Sequence, residues 1–258
     1  MFGFFRKEKK ITEASEVIHQ EDYSNIEPLA KYFHNETGIT FNKQMSILKS
    51  KVTTFCKQRD IHSFTKLLDD IKENSLLKQE LTDYLTTNET FFYREAKQIR
   101  ELVELVRNSH ANISILCAPS ATGEEAYSIA IALLEGDVPA SNFRIVGIDI
   151  NSNAISKARK AVYGERNVRN LSAEIVSKYF TKRDNKYALN SDIRSLVTFQ
   201  TANIFDSSFT GLGKFDFVFS RNMLIYFDKK TKLKAKSILE SMRKSENYKV
   251  FFGHADLF

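Results

Sequence analysis

Residues 113–127 read Ile113-Ser-Ile-Leu-Cys-Ala-Pro-Ser-Ala-Thr-Gly-Glu-Glu-Ala-Tyr127, and a second apolar stretch downstream closes on Val146-Gly-Ile-Asp149. The unbroken apolar run suits a strand covered on both faces. A tight loop follows, then two glutamates where a helix would begin. A strand, a loop, a helix and a second strand ending in a carboxylate is how a parallel sheet holds a nucleoside. Loop and helix N-terminus lie near one end of the ligand, and the acid lies on the ribose hydroxyls at the other. Asp149 is the candidate for that acid, because a carboxylate accepts two hydrogen bonds.

The loop has a single glycine, Gly123, so the G-x-G-x-x-G dinucleotide fingerprint is absent. A pyrophosphate needs close backbone approach at several glycines; a nucleoside with an amino-acid tail does not. Thr122-Gly-Glu-Glu125 also reads as a capping box, with Thr122 accepting from the Glu125 N–H and the Glu125 side chain reaching back. Local capping and ligand contact both stay open here, since one of the two glutamates suffices for the cap.

Composition bounds the class. With 258 residues, 42% hydrophobic and 27% charged, the chain reads as globular, with room for one large domain or two modest ones. No apolar run approaches the ~20 residues of a membrane span. The two cysteines, Cys56 and Cys117, show no metal-ligand spacing; neither a metal site nor a disulfide is expected, and a reducing cytoplasm is. A net charge of +6 suits an acidic partner, whether nucleic acid, anionic lipid or acidic protein. Residues 41–60 carry Lys43, Lys49, Lys51, Lys57 and Arg59 against Asp60 alone. The first ten residues mix aromatics with bases and read either as a solvated tail or as a weak membrane-surface anchor.

Residues 1–25 lack periodicity and are expected to form a tail or a frayed helix. From 26 to 87 the pattern is helical: Leu48, Val52, Phe55 and Cys56 mark one buried face, and Leu77, Leu81, Tyr84 and Leu85 another. Lys49, Thr53 and Lys57 share a further face, which is either solvated or a docking surface. After Arg94, strands and helices alternate. Helices are marked by Ile99, Leu102, Val103 and Val106; by Ala126, Ile129, Ala130 and Leu133; by Ile155, Ala158 and Val162; and by Ala235, Ile238, Leu239 and Met242. Strands are expected at 113–118, 143–150, 197–204, 215–220 and 248–253. The fold class is α/β, a doubly wound sheet after an all-helical N-terminal domain. Residues 164–196 break the alternation and read as a small inserted β-subdomain: a short helix, Lys178-Tyr-Phe-Thr, a turn at Arg183-Asp-Asn185, and Lys186-Tyr-Ala-Leu189.

Three segments occur in order: Thr86-Thr-Asn-Glu-Thr-Phe-Phe-Tyr-Arg-Glu95, Ala121-Thr-Gly-Glu-Glu-Ala-Tyr-Ser128 and Phe215-Asp-Phe-Val-Phe-Ser-Arg-Asn-Met-Leu-Ile-Tyr-Phe-Asp228, with Gly253-His254 near the end. From about residue 26 to 254 the chain resembles the CheR family, the chemotaxis receptor glutamate methyltransferases. The resemblance implies a class I, Rossmann-like S-adenosylmethionine-dependent domain over 88–258. It makes 26–87 a substrate-docking domain, with Lys49, Lys51 and Lys57 as docking residues. By resemblance, Asn88, Thr90, Arg94, Pro119, Glu125, Asp149, Asn203, Ile204, Arg221 and Asn222 line the cofactor pocket. Glu125 would take the cofactor's ammonium and Asn203 the adenine edge. Arg94 and Tyr226 would stand beside the transferring methyl. The product would be S-adenosylhomocysteine, with no metal involved.

The implied substrates are glutamates on the cytoplasmic domains of methyl-accepting chemotaxis receptors. A monomeric cytoplasmic enzyme is expected, recruited to receptor arrays at the inner membrane with at most peripheral membrane contact. Ala126 stands where the family usually has proline. The family continues into another strand beside the one ending at Gly253, whereas this sequence stops at Phe258. The turn between Phe180 and Lys186 has no glycine and is shorter than in members that grip a receptor C-terminal peptide, so independence from that tether is expected. A nucleic-acid methyltransferase is the competing enzyme reading, but Ser220-Arg-Asn-Met223 lacks the proline and aromatic that hold a flipped base. A non-catalytic signalling module is the other, and intact Arg94 and Tyr226 argue against it.

Overall fold

The computed structural model describes residues 21–107 and 112–256, so the candidate membrane-surface anchor lies outside the described residues. Four helices come first: α1 (Glu27–Thr37), α2 (Met45–Lys57), α3 (Phe64–Glu73) and α4 (Ser75–Leu85). Then follow α5 (Ala96–Val106), β1 (Ile113–Cys117), α6 (Glu124–Glu135), β2 (Phe143–Asp149) and α7 (Ser152–Lys160). The insertion holds β3 (Val162–Gly164), α8 (Glu165–Val168), α9 (Ala173–Tyr179), β4 (Phe180–Arg183), β5 (Lys186–Leu189) and α10 (Ser191–Arg194). The chain closes with β6 (Val197–Thr201), α11 (Ser207–Thr210), β7 (Phe217–Ser220), α12 (Lys229–Ser241) and β8 (Val250–Phe252).

The helical region has its own core. Leu48, Val52, Phe55 and Cys56 of α2 are all buried, as their spacing predicts, and pack with Leu67, Ile71 and Leu81. Ser63 and Asn74 stop and start helices here by accepting backbone N–H bonds, from Lys66 and from Leu76 and Leu77. Residues 21–24 are not a loose tail. Asp22 bridges to Ser63, and the Tyr23 hydroxyl donates to the Ile61 carbonyl at 2.7 Å.

The sheet has five parallel strands in the order β6-β2-β1-β7-β8. Side chains alternate across it. Ile115, Cys117, Phe217 and Phe219 join the core under α5 and α6, while Leu116, Ala118 and Val218 join the core under α12. Several boundaries are tighter than expected. β6 ends at Thr201 rather than Ile204, β7 begins at Phe217 and β8 spans three residues.

The inserted β-subdomain is a three-stranded antiparallel sheet, β3-β5-β4, not a two-stranded hairpin. Val162 belongs to β3 rather than to the preceding helix. That helix ends at Lys160 because Ala161 turns to φ 51°, which exposes Val162. Arg183 pairs with Lys186, so the β4–β5 turn is only Asp184-Asn185, with Asp184 at φ 52°.

The helical region sits over the C-terminal ends of the strands. Asp83 of α4 accepts from the Ser152 N–H at 2.7 Å and the Ser152 hydroxyl at 2.5 Å. Asn151 donates to the Asp83 carbonyl and to the Thr86 hydroxyl. Gly38, at φ 74°, closes α1 against the Phe205 ring, which a Cβ there would approach to 2.5 Å. These ties enclose a cleft between helices and sheet.

Candidate functional site

The cleft has a volume of about 350 Å³ and brings together residues from 37 to 227. Asn88, Thr90, Arg94, Pro119, Glu125, Asp149, Asn203, Ile204, Arg221, Asn222 and Tyr226 all line it, as does Lys51 of α2. This is the crevice outside the carboxyl ends of parallel strands, where α/β sheets take their ligands.

Asp149, the last residue of β2, is buried. Its Oδ2 accepts from the Ala121 N–H at 2.8 Å and its Oδ1 from the Asn151 N–H at 2.9 Å. The carboxylate thus pins the loop after β1 and keeps free lone pairs on both oxygens. Burial pushes its pKa from 3.8 up to about 6, with the Asn151 and Ala121 N–H groups pulling against that rise. Gly147 makes room beneath: a Cβ there would lie 2.5 Å from the Phe199 ring and 3.0 Å from Ser120 Cβ.

The capping box does not form. α6 starts after Gly123, at φ 93°, and no side chain caps it. The Thr122 hydroxyl donates instead to Glu124 Oε2 at 2.6 Å, and Asn167 of the insertion donates to Glu124 Oε1 at 2.6 Å. Glu124 does the local work, which leaves Glu125 to the cleft. There Arg221 Nε donates to Glu125 Oε2, with both side chains buried. Arg221 Nη1 also donates to the Arg94 carbonyl at 2.7 Å and the Glu95 carbonyl at 3.3 Å. Arg221 is therefore a strut joining α6, the β7 end and the segment carrying Arg94. Burial raises the Glu125 pKa and the Arg221 guanidinium opposes the rise.

Glu125 Oε1 is buried without a hydrogen-bond partner, and so is the hydroxyl of Ser120 in the same wall. A buried carboxylate oxygen left unpaired is costly and suits a cationic donor. An ammonium at Glu125 and a ribose diol at Asp149 match this donor set, so the residues fit S-adenosylmethionine.

Asn203 lines the cleft, and its amide makes one bond on each side. Nδ2 donates to the Glu36 carbonyl at 2.6 Å and Oδ1 accepts from the Phe205 N–H at 3.0 Å. Its side chain ties α1 to the sheet, and each amide atom keeps one further hydrogen-bonding position. Arg94 Nη1 donates to the Glu89 carbonyl at 2.9 Å. The Tyr226 hydroxyl is partly buried, which raises its pKa, while the nearby Arg94 charge lowers it. Arg94 and Tyr226 thus share one field in the cleft.

The three lysines expected to dock a substrate separate. Lys51 follows Gln44 and Ile47 at helical spacing and faces the cleft with them. Lys49 and Lys57 point elsewhere: Lys49 Nζ donates to the Ser24 carbonyl at 3.0 Å and Lys57 pairs with Glu21 at 3.2 Å. Missing from the sequence reading were Ser120, the apolar rim Phe41, Ile47 and Ile225, and the Asp83 latch. The Gln44, Ile47, Lys51 spacing is a signal that could have found part of this rim.

Residues 88–258 match the family model for the CheR methyltransferase S-adenosylmethionine-binding domain. The chain belongs to the CheR methyltransferase family. It is an S-adenosylmethionine-dependent methyltransferase of the chemotaxis type. A chemotaxis protein methyltransferase of Campylobacter jejuni serotype O:23/36 is 33% identical over 253 residues, covering 97% of this chain and 92% of that protein. One of Borreliella burgdorferi is 29% identical over 88% of this chain and 86% of its own length. Chemotaxis protein methyltransferase 2 of Vibrio cholerae is 31% identical over 87% of this chain and 82% of its own length. Among the described residues no helix is long and apolar enough to cross a membrane. Nor do the described residues group three or more His, Cys, Asp or Glu to hold a metal ion.

Proposed function

We propose that this CheR-family chain methylates glutamate side chains on the cytoplasmic domains of chemotaxis receptors, working in the cytoplasm as a monomer. The observation that carries this is the unpartnered, buried Glu125 Oε1 in the same cleft as Asp149, Arg94 and Tyr226. Glu125 and Arg221 hold the amino-acid end of the cofactor, and Asp149 the ribose. Asn88, Thr90, Pro119, Ile204 and Asn222 close the walls around it. Bound there, S-adenosylmethionine supplies a methyl group on a sulfonium, and S-adenosylhomocysteine is the product.

The substrate carboxyl has an ordinary pKa near ~4.3 and is ionised at neutral pH, so no side chain need remove a proton. The task left to the protein is alignment in a site closed to water. Arg94 holds one carboxylate oxygen, and the Tyr226 hydroxyl donates to the other and fixes its approach. An arginine that gripped both oxygens would blunt the nucleophile, so Arg94 acts by placement. Phe41, Ile47 and Ile225 cover the mouth. The helical region brings the substrate, with Lys51 meeting its acidic surface at the cleft. Asn203 keeps one N–H and one lone pair beyond its bonds to Glu36 and Phe205, and with these it meets the adenine edge beside the apolar wall near Ile204.

Methyl transfer from labelled S-adenosylmethionine to receptor-bearing membranes tests this. Label should appear in base-labile esters, and it should fall in Arg94→Ala and, by less, in Tyr226→Phe, because the charge-assisted bond is the stronger. Full activity in both variants at saturating cofactor, or label in nucleic acid instead, would refute the proposal.

A further inference from the structure

Asp256 has no part in the site described above, yet it is a buried carboxylate beside it. It lies in the short turn His254–Asp256 after β8 and is 1% exposed. Its Oδ2 accepts from the backbone N–H of Asn222. The N–H groups of Leu224, Ile225 and Gly253 face the same carboxylate, while Oδ1 reaches no full hydrogen bond. Gly253 permits this approach: a Cβ there would sit 2.9 Å from both Asn222 N and Asp256 Oδ2. Asn222 itself is left-handed, at φ 60°, and turns the following N–H groups inward.

The Asn222, Leu224 and Ile225 donors belong to the turn that carries Tyr226. Leu224 and Phe227 anchor that turn in the core under α12, but Ile225 is 44% and Tyr226 39% exposed, so packing alone does not fix the Tyr226 side chain. The turn's far end is fixed from the helical region, where the Thr40 N–H donates to the Tyr226 carbonyl at 3.0 Å. Its near end follows Arg221, itself bound to Glu125. Between them, the buried carboxylate of Asp256 faces the turn's donors. Burying a carboxylate is unfavourable unless N–H dipoles meet it, and an apolar side chain would fill the space at lower cost. What the carboxylate adds is the geometry of the turn.

We propose that Asp256 is a positioning residue for methyl transfer, gathering the backbone N–H groups of the Asn222–Ile225 turn and so fixing Tyr226 opposite Arg94. The proposal rests on the reading of Tyr226 as the hydroxyl that orients the substrate carboxylate. It assigns the residues after β8 a part in the reaction without substrate contact.

The test is a double-mutant cycle in the full chain, with Asp256→Asn and Tyr226→Phe alone and together. Asp256→Asn keeps the size and removes the charge. We expect kcat to fall about tenfold or more, the scale of a small misplacement of an aligned group. The KM for S-adenosylmethionine should stay within about twofold, and in the Tyr226→Phe background the further loss should shrink to about twofold or less. A merely structural Asp256 would cost the same factor in both backgrounds; that result, or an unchanged kcat, overturns the proposal. Should Asp256→Asn fail to fold, amide exchange in the unmodified protein decides: slow exchange at Asn222, Leu224 and Ile225 supports the clamp, and fast exchange overturns it. Full activity in Tyr226→Phe would remove the Tyr226 reading, while the exchange data would still report on the Asp256 contact.

Discussion

Arg221 closes on Glu125 inside the cleft wall, and the same guanidinium holds the Arg94 carbonyl at 2.7 Å. One buried ion pair therefore links the Glu125 wall of the cleft to the segment carrying Arg94. Removing one partner of such a pair leaves the other charge uncompensated, at about 3–5 kcal/mol. Arg221→Ala should lower the unfolding free energy by that order and weaken cofactor binding. Glu125→Gln is milder, and should cost about 1–3 kcal/mol of cofactor affinity through loss of the ammonium acceptor. Thermal unfolding and calorimetric titration with S-adenosylhomocysteine check both; unchanged affinity in folded Glu125→Gln would remove Glu125 from the ligand set.

Asp149 gives a pH dependence. Its pKa is raised from 3.8 to about 6 by burial, so the folded chain holds a proton there that the unfolded chain has lost. Stability tied to this group is fully present below the ordinary carboxylate range and is lost as pH rises through about 6, a cost of about 3 kcal/mol above it. Ribose hydroxyls donate to the ionised form, so cofactor affinity should improve as pH rises through about 6 and then level off. Asp149→Asn sets an amide NH2 against one of the two backbone N–H donors, from Ala121 or Asn151, so it should gain no stability at neutral pH, bind cofactor more weakly and lose the pH slope. An unmodified protein whose affinity is flat across that range would contradict the assignment.

The split among the lysines changes what charge reversal should do. Lys51→Glu, at the cleft mouth, should lower kcat/KM for the receptor most steeply at low salt, where charges are least screened. Lys49→Glu and Lys57→Glu, on the side bonded to residues 21–24, should have the smaller effect. Salt titration of the methylation rate in the three variants separates these. Equal losses in all three would restore a single docking face.

The β4–β5 turn has only Asp184 and Asn185, which leaves little backbone to curl around an added strand. A receptor C-terminal peptide should therefore show no measurable binding to this chain by calorimetry. Micromolar binding that is lost on mutation within 179–189 would show that the tether is used.

How much was legible follows from particular residues. The 113–118 run, the acid at Asp149 and the α2 spacing announced the sheet and the helical core, because both depend on local periodicity. β3 was missed because three residues carry no periodicity, and Val162 fits a helical spacing equally well. Spacing alone does not decide between cap and ligand contact at Thr122-Gly-Glu-Glu125, because the cap motif is local, whereas its glutamates also pair with Asn167 and Arg221, 43 and 96 residues away. The commitment of Asn203 to α1 is likewise a long-range contact that no spacing shows. Lys51 parts from Lys49 because they lie two residues apart on a helix, about 200° around its axis.

The most direct measurement is site-resolved mass analysis of a receptor cytoplasmic domain after incubation with this chain and S-adenosylmethionine. The proposal predicts methyl esters on receptor glutamates, removed by mild base, with S-adenosylhomocysteine formed in equal amount. A receptor left unmodified, while the same protein binds the cofactor and turns it over on another substrate, would contradict it.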